Sequence, residues 1–217
     1  IEHNHPIHCA FTREYEALIM GKELPVIPSP QQSETEEKEE LTYSRVFCAR
    51  EDSPPLRLLL DFLKSKNQIP LIPKMEKEAL EDWDWVHISL GYDRERKPIR
   101  LFCIRDRGTY QDVFETEKVG FTNRLSAFDD VEAQIAMECI DKSHFIATTQ
   151  MVKNDVSDEG YDFNGWILEF FQENCNGIVQ IDGQGFYSPK GELVVDMEEA
   201  MESGKDIGPT RKTDEAS

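Results

Sequence analysis

Three histidines and a cysteine lie within the first nine residues, IEHNHPIHC. Imidazole and thiolate groups bind zinc, so His3, His5 and His8, with or without Cys9, form a candidate metal site. His3 offers a second chemistry, because an α-amine, two deprotonated amides and a histidine at position three make a square-planar site for Cu(II) or Ni(II). That site requires a free α-amine on Ile1. The third interpretation is an exposed chain end, and the sequence specifies no cofactor.

A second candidate site is a polar and aromatic surface built from alternate residues of three predicted strands. The segments WVHISL, HFIATTQ and GIVQID each contain an apolar set that alternates with a second set, and successive side chains of a strand point to opposite sheet faces. If the apolar sets pack against helices, the other face carries the predicted ligand-binding residues: Trp85, His87, Ser89, His144, Thr148, Gln180 and Asp182. Ligand pockets and protein interfaces combine such aromatic and polar groups. The alternative is a half-solvated face without a ligand.

Three amphipathic helices that would support this sheet are predicted from apolar residues spaced three or four apart. The first follows a Ser53 cap, and its apolar stripe is Leu56, Leu59, Leu60 and Leu63. The second follows a Ser126 cap, and its predicted buried stripe is Val131, Ile135 and Cys139. The third ends at Asn176-Gly177, and its stripe is Phe163, Trp166, Ile167, Phe170 and Phe171.

Strands predicted around these helices give strand–helix–strand–strand order twice, in about residues 42–125 and 126–202. Two such βαββ units commonly merge their sheets, which predicts an α+β fold: a two-layer sandwich with the helices on one sheet face. The repeated order indicates an internal duplication. In element order and length the chain is similar to the tandem units of GyrI-like small-molecule-binding domains. That resemblance implies a ligand-binding surface and assigns no site residue.

The segments outside this core differ from it in composition. Residues 1–30 are a predicted N-terminal arm with a short helix over 11–21, and residues 31–41 are a predicted acidic linker. Residues 42–202 form one predicted α+β domain, and residues 203–217 are a predicted disordered tail.

The formal net charge of −19, from 43 acidic and 24 basic residues, restricts the partners. Affinity for nucleic acid phosphates and anionic membranes comes from Lys and Arg, so direct binding to either is not expected. A small molecule or a protein, including a basic protein, is the expected partner. The five cysteines are widely spaced and never form CxxC, which favours a reducing cytoplasm. The oligomeric state is not specified by the sequence.

These patterns favour a non-enzymatic module that binds a small ligand or a protein on the polar and aromatic sheet face. One alternative is an acidic interaction or inhibitor protein, a DNA mimic or an immunity-type protein, that acts on a basic partner. Another is a metal-assisted enzyme that uses histidines, with His87 and His144 on neighbouring strands. The sequence contains no GxxxxGK[ST], GxSxG or HExxH motif, and it assigns no catalytic residue.

Overall fold

The computed structural model describes residues 39–188 and 190–197. These residues belong to a compact unit that spans Glu39–Ser217. The predictions for His3, His5 and His8, for the short helix over 11–21 and for the tail therefore lie outside the described residues. Within the described part of the chain, no helix has the length and apolar composition needed to cross a membrane.

The described residues form seven strands and five α-helices. The strands are β1 Leu41–Cys48, β2 His87–Leu90, β3 Ile99–Arg105, β4 Phe145–Val152, β5 Gly177–Ile181, β6 Gly185–Tyr187 and β7 Leu193–Asp196. The helices are α1 Leu56–Ser65, α2 Lys77–Glu81, α3 Gln111–Leu125, α4 Val131–Asp141 and α5 Asp158–Cys175. All strand pairs are antiparallel, in the order β2-β3-β4-β1-β5-β6-β7. The fold is an α+β fold, as predicted.

Helices pack on both faces of the sheet, so the prediction of a two-layer sandwich with helices on one face is wrong. On one side, α1 and α5 form an apolar core with alternate strand residues such as Val46 and Ala147. On the other side, Phe121 of α3 packs edge-on against Phe47 of β1, with ring centroids 5.4 Å apart. Both sets of alternating side chains in the central strands include large apolar groups, and burial of either set stabilises the folded state.

The strand–helix–strand–strand order occurs in both halves. The strands of the two halves do not form separate blocks, because β4 of the second half lies between β3 and β1 of the first. β1 and β3 are parallel with β4 between them, whereas β4 and β5 are parallel with β1 between them. Each half is therefore a split βαβ unit that accepts the first strand of the other half. β2 is an additional strand at the sheet edge. This interlocking places β1 and β4 at the centre of the sheet.

The predicted apolar stripes are confirmed for α1 and α5 but not for α4. Val131 and Ile135 are exposed, and the buried residues of α4 are Ala133, Ala136 and Ile140. The helix begins after Asp130, whose carboxylate accepts the Ala133 N–H at 2.7 Å, and not after Ser126. Apolar residues occupy both sides of this helix, so periodicity alone does not decide which side packs against the sheet.

Helix α3 was not predicted from the sequence. Its buried residues are Phe114, Glu117, Phe121 and Leu125, so a charged residue interrupts the apolar stripe. Val119 lies on the exposed side, and Gly120 lowers the helix propensity of the segment. These features together weaken the periodic signal on which helix prediction depends.

Ile140→Ala should lower the free energy of unfolding by about 2–5 kcal/mol, because it removes a buried side chain from the interior. Ile135→Ala is the matched change on the exposed side of the same helix, and it should change that free energy by less than about 0.5 kcal/mol. Urea titration followed by circular dichroism measures both values. An equal or larger loss for Ile135→Ala would mean that the opposite side of α4 is buried.

Candidate functional site

The face of the sheet that contacts α3 and α4, here called the polar face, carries two rows with polar side chains next to an apolar row of Ile104, Ile146, Phe47 and Ile178. The first row runs across five strands and consists of His87, Phe102, Thr148, Arg45 and Gln180. The second row runs across four strands and consists of Ser89, Arg100, Gln150 and Tyr43. Asp182 follows β5, and its N–H donates to the Tyr43 carbonyl at 3.0 Å. Five of the predicted residues, His87, Ser89, Thr148, Gln180 and Asp182, therefore lie on one face.

Arg45 lies at the centre of the polar face and is almost completely buried. Its Nε is 2.9 Å from the carboxylate of Glu117 on α3. Its Nη1 donates to Gln180 Oε1 at 2.8 Å and to Asp182 Oδ1 at 2.6 Å. The guanidinium also lies 5.2 Å from the centroid of the Phe121 ring. Two carboxylates and an aromatic ring thus stabilise a cation that would be costly to bury alone.

Apart from the exposed His87, the first row is buried on the face against which α3 and α4 pack. Thr148 and Gln180 are only 2% and 3% exposed, so a ligand on the surface contacts neither directly. Thr148 Oγ1 has no hydrogen-bond partner among the described residues. Gln180 supports Arg45, and Asp182 forms the ion pair with it. These predicted site residues stabilise the packing of α3 against the sheet.

The second row remains accessible beside α3. Arg100 is exposed, and Tyr43 and Ser89 are half-buried. Gln150 is buried between two of these residues: its amide donates to the Tyr43 hydroxyl at 2.8 Å and accepts from Arg100 Nη1 at 3.4 Å. A guanidinium, an amide, a phenol and a hydroxyl therefore lie side by side, held by neighbouring strands about 5 Å apart.

The two histidines predicted near this face are not brought together. His87 is exposed and stacks on Phe102, with ring centroids 6.2 Å apart. His144 precedes β4, and its Nδ1 is 2.7 Å from the Asp106 carboxylate. Because Asp106 is four residues beyond Phe102, the two histidines are separated by about 13 Å along the strand direction. In the described residues no three potential metal ligands converge.

Trp85 lies in the core between the sheet and helices α1 and α5, so its assignment to the polar face is wrong. It is 7% exposed, and its indole N–H donates to the Pro54 carbonyl at 2.9 Å. The guanidinium of Arg105 donates to the carbonyls of Trp83 and Trp85 at 2.7 and 2.9 Å. The strand begins only at His87, so strand alternation does not extend back to Trp85.

Ser53 does not cap α1 with its side chain, contrary to the prediction. Its hydroxyl donates to the Trp83 carbonyl at 2.5 Å and accepts from Arg105 Nη2 at 2.7 Å. The helix starts after Pro55, which forms no side-chain cap bond. Ser53 and Arg105 together hold the segment before β2 against the sheet end.

Apart from Ser89, the residues of the accessible second row were not predicted from the sequence, and neither was the buried Arg45. Arg45 stands in the otherwise largely apolar strand segment YSRVFC, and a charge in a central strand requires a buried partner. That signal was available, but the identity of the partner was not. Glu117 lies on the unpredicted helix α3. Arg100 becomes part of a candidate site only because Gln150 and Tyr43, on other strands, lie beside it.

Glu117→Ala should lower the free energy of unfolding by about 3–5 kcal/mol, because it removes one partner of a buried ion pair. Glu115→Ala, an exposed position on the same helix, should change it by less than about 0.5 kcal/mol. The double variant Arg45→Met/Glu117→Leu should recover part of the loss, since it buries neither charge. Denaturant titrations measure the three values, and equal effects of the two alanine substitutions would contradict the role of this pair.

The comparisons with known proteins identify no relative. No family model matches the chain, and no curated protein or solved structure matches it either. The similarity to GyrI-like domains therefore stays a prediction from element order. The function has to be argued from the geometry of the polar face.

Proposed function

We propose that this protein is a non-enzymatic binding module whose second row of the polar face binds a carboxylate-bearing small molecule or peptide. The observation that carries the proposal is the exposed guanidinium of Arg100 beside the hydrogen-bonded pair Gln150 and Tyr43. A guanidinium binds a carboxylate through two parallel N–H donors. The Tyr43 ring and the exposed His87 ring offer contact area for an aromatic or apolar part of the ligand.

The N–H donors of the Arg100 guanidinium are available to a ligand because its hydrogen bonding within the protein is weak. The structure gives its side chain one 3.4 Å hydrogen bond to Gln150. By contrast, Arg57 donates to Glu81 and Asp61 at 2.6 and 3.0 Å. The net charge of −19 opposes the approach of an anion, but at physiological salt charges are screened beyond about 8 Å. Charges farther than that from Arg100 therefore contribute little to the field beside it.

The second row suits recognition because it is rigid before a ligand arrives. Arg100 lies on β3, which pairs with β2 on one side and β4 on the other. Gln150 is buried, and its amide positions the neighbouring Tyr43 phenol through a 2.8 Å hydrogen bond. Preorganised donors lose little conformational freedom on binding.

The chemistry of this row supports binding more than catalysis. General acid–base catalysis at neutral pH uses groups that titrate near neutrality. Ser89, Arg100, Gln150 and Tyr43 have hydroxyl, guanidinium, amide and phenol groups, which do not ordinarily titrate there. These groups bind and orient a ligand.

Arg100→Ala should weaken the binding of benzoate by about tenfold or more, because a charge-assisted hydrogen bond contributes about 1.5–3 kcal/mol. Benzoate is the simplest probe with a carboxylate and a ring. Two-dimensional NMR titration of the full chain should place the shifted amide signals on β1, β3 and β4 around the second row.

Arg57→Ala is the matched control, because Arg57 is an exposed arginine on α1, on the opposite side of the sheet. It should leave benzoate binding unchanged. The proposal fails if benzoate shifts no signal near Arg100 at millimolar concentration, or if Arg57→Ala weakens binding as much as Arg100→Ala.

A second candidate function, an acidic interaction protein with a basic partner, is favoured by the surface around Trp83. The Trp83 side chain is 46% exposed beside an open depression of about 700 Å³. The depression is lined by Lys77, Glu78, Ala79, Glu81, Asp82 and Trp83. The guanidinium of Arg107 already lies 5.9 Å from the centroid of the Trp83 ring, and a Lys or Arg side chain of a partner could bind the indole and the nearby carboxylates through the same cation–π and ionic attraction.

A tetra-arginine peptide should change the tryptophan fluorescence of the wild-type protein, and added salt should weaken the effect because exposed charges are screened. Trp83→Phe should abolish the fluorescence change, whereas Trp166→Phe should retain it. Fluorescence titration at two salt concentrations measures both. A change that survives in Trp83→Phe would exclude Trp83 as the contact.

A further inference from the structure

Two buried cysteines lie next to each other where β1 and α5 end. Cys48 is the last residue of β1, and Cys175 is the last residue of α5. The N–H groups of Ala49 and Arg50 both donate to the Cys175 carbonyl, at 3.1 and 3.2 Å. The strand register pairs Cys48 with Gly177, two residues after Cys175. Backbone hydrogen bonds thus hold both cysteines in place at the same end of the sheet, and the Cys48 thiol donates to the Val46 carbonyl at 3.4 Å.

The third buried cysteine of this core cannot replace Cys175 as the partner of Cys48. Cys103 lies on β3, which is separated from β1 by the whole of β4. Neighbouring strands are about 4.8 Å apart, so β1 and β3 are separated by roughly 10 Å. A disulfide requires α-carbons within about 7 Å of each other. The geometry therefore makes Cys175, and not Cys103, the partner of Cys48.

We propose that Cys48 and Cys175 form a site of oxidative modification, at which a hydroperoxide converts the two thiols into a disulfide that joins β1 to α5. This inference does not depend on the proposed binding function. The two cysteines are buried close to exposed chain, because Asn176 directly follows Cys175 and Arg50 lies two residues after Cys48, and both are exposed. A small oxidant such as hydrogen peroxide therefore needs only local opening of the sheet end to reach them.

The reaction proceeds in two steps that conserve atoms and electrons. The Cys175 thiolate attacks one peroxide oxygen, the O–O bond breaks, and hydroxide leaves and takes up the thiol proton to form water. The Cys48 sulfur then attacks the resulting sulfenic acid, the S–O bond breaks, and a second water leaves. The two sulfurs lose two electrons in total, and the peroxide gains them.

Cys175 is the first nucleophile because its thiolate is the more stable of the two. The hydrogen bond from Cys48 lowers the pKa of Cys175, and nearby Arg50 acts in the same direction against the effect of burial. Burial raises the pKa of the Cys48 thiol. Burial likewise raises the pKa of Cys103 to about 12. Because the thiolate is the reactive form, Cys103 should stay reduced.

The test uses the full chain with Cys9→Ser and Cys139→Ser, which leaves only the three core cysteines. The protein is treated with hydrogen peroxide, blocked with N-ethylmaleimide under denaturing conditions, and mapped by mass spectrometry without reduction. The expected result is a peptide pair linking Cys48 to Cys175, a mass loss of two hydrogens, and reversal by dithiothreitol. A linkage through Cys103, a linkage between chains, or three alkylated thiols after treatment overturns the proposal.

Two further variants locate the reaction. In the same background, Cys103→Ala should retain the Cys48–Cys175 linkage. Cys48→Ala should stop at a sulfenic acid on Cys175, which dimedone captures. Dimedone on Cys103 in place of Cys175 contradicts the assignment of the nucleophile. Circular dichroism checks that each variant is folded, and the peptide map of the background protein decides the main question by itself.

Discussion

Burial of the positive charge of Arg45, in a central strand of the sheet, constrains how α3 and the turn after β5 pack against that strand. A guanidinium without partners in this position would cost several kcal/mol. The fold supplies Glu117 from α3 and Asp182 from the turn after β5, so three distant parts of the chain meet at one group. α3 is thereby placed across the first row of the polar face. The second row remains accessible because α3 lies where Glu117 must reach Arg45.

Arg105, the last residue of β3, is a second buried arginine whose hydrogen bonds hold a neighbouring segment in place. Its guanidinium donates to the carbonyls of Trp83 and Trp85 and so fixes the backbone that carries both indole rings. Trp85 enters the core, whereas Trp83 stays exposed among carboxylates. The two buried arginines therefore determine where both candidate binding surfaces lie. One surface is next to Arg100, and the other is next to Trp83.

Local sequence patterns predicted the elements whose two sides differ clearly. The stripes of α1 and α5 are confirmed, and the alternation of Phe145, Ala147 and Val179 against Thr148 and Gln180 is confirmed as well. The patterns failed where both sides of an element are apolar, as in α4, or where a charge enters the buried side, as in α3. They also failed at Trp85, because hydrogen bonds from Arg105 hold the chain outside strand geometry.

The sequence by itself determined the α+β class, the repeated strand–helix–strand–strand order and the set of side chains that share each strand face. Those properties follow from the period of a helix or a strand, which is local. Packing between distant elements placed helices on both sheet faces, buried Thr148 and Gln180, and brought Arg100 to Gln150 and Tyr43. Periodicity tells which residues lie together on one element, whereas burial and charge pairing depend on which distant element is packed against it.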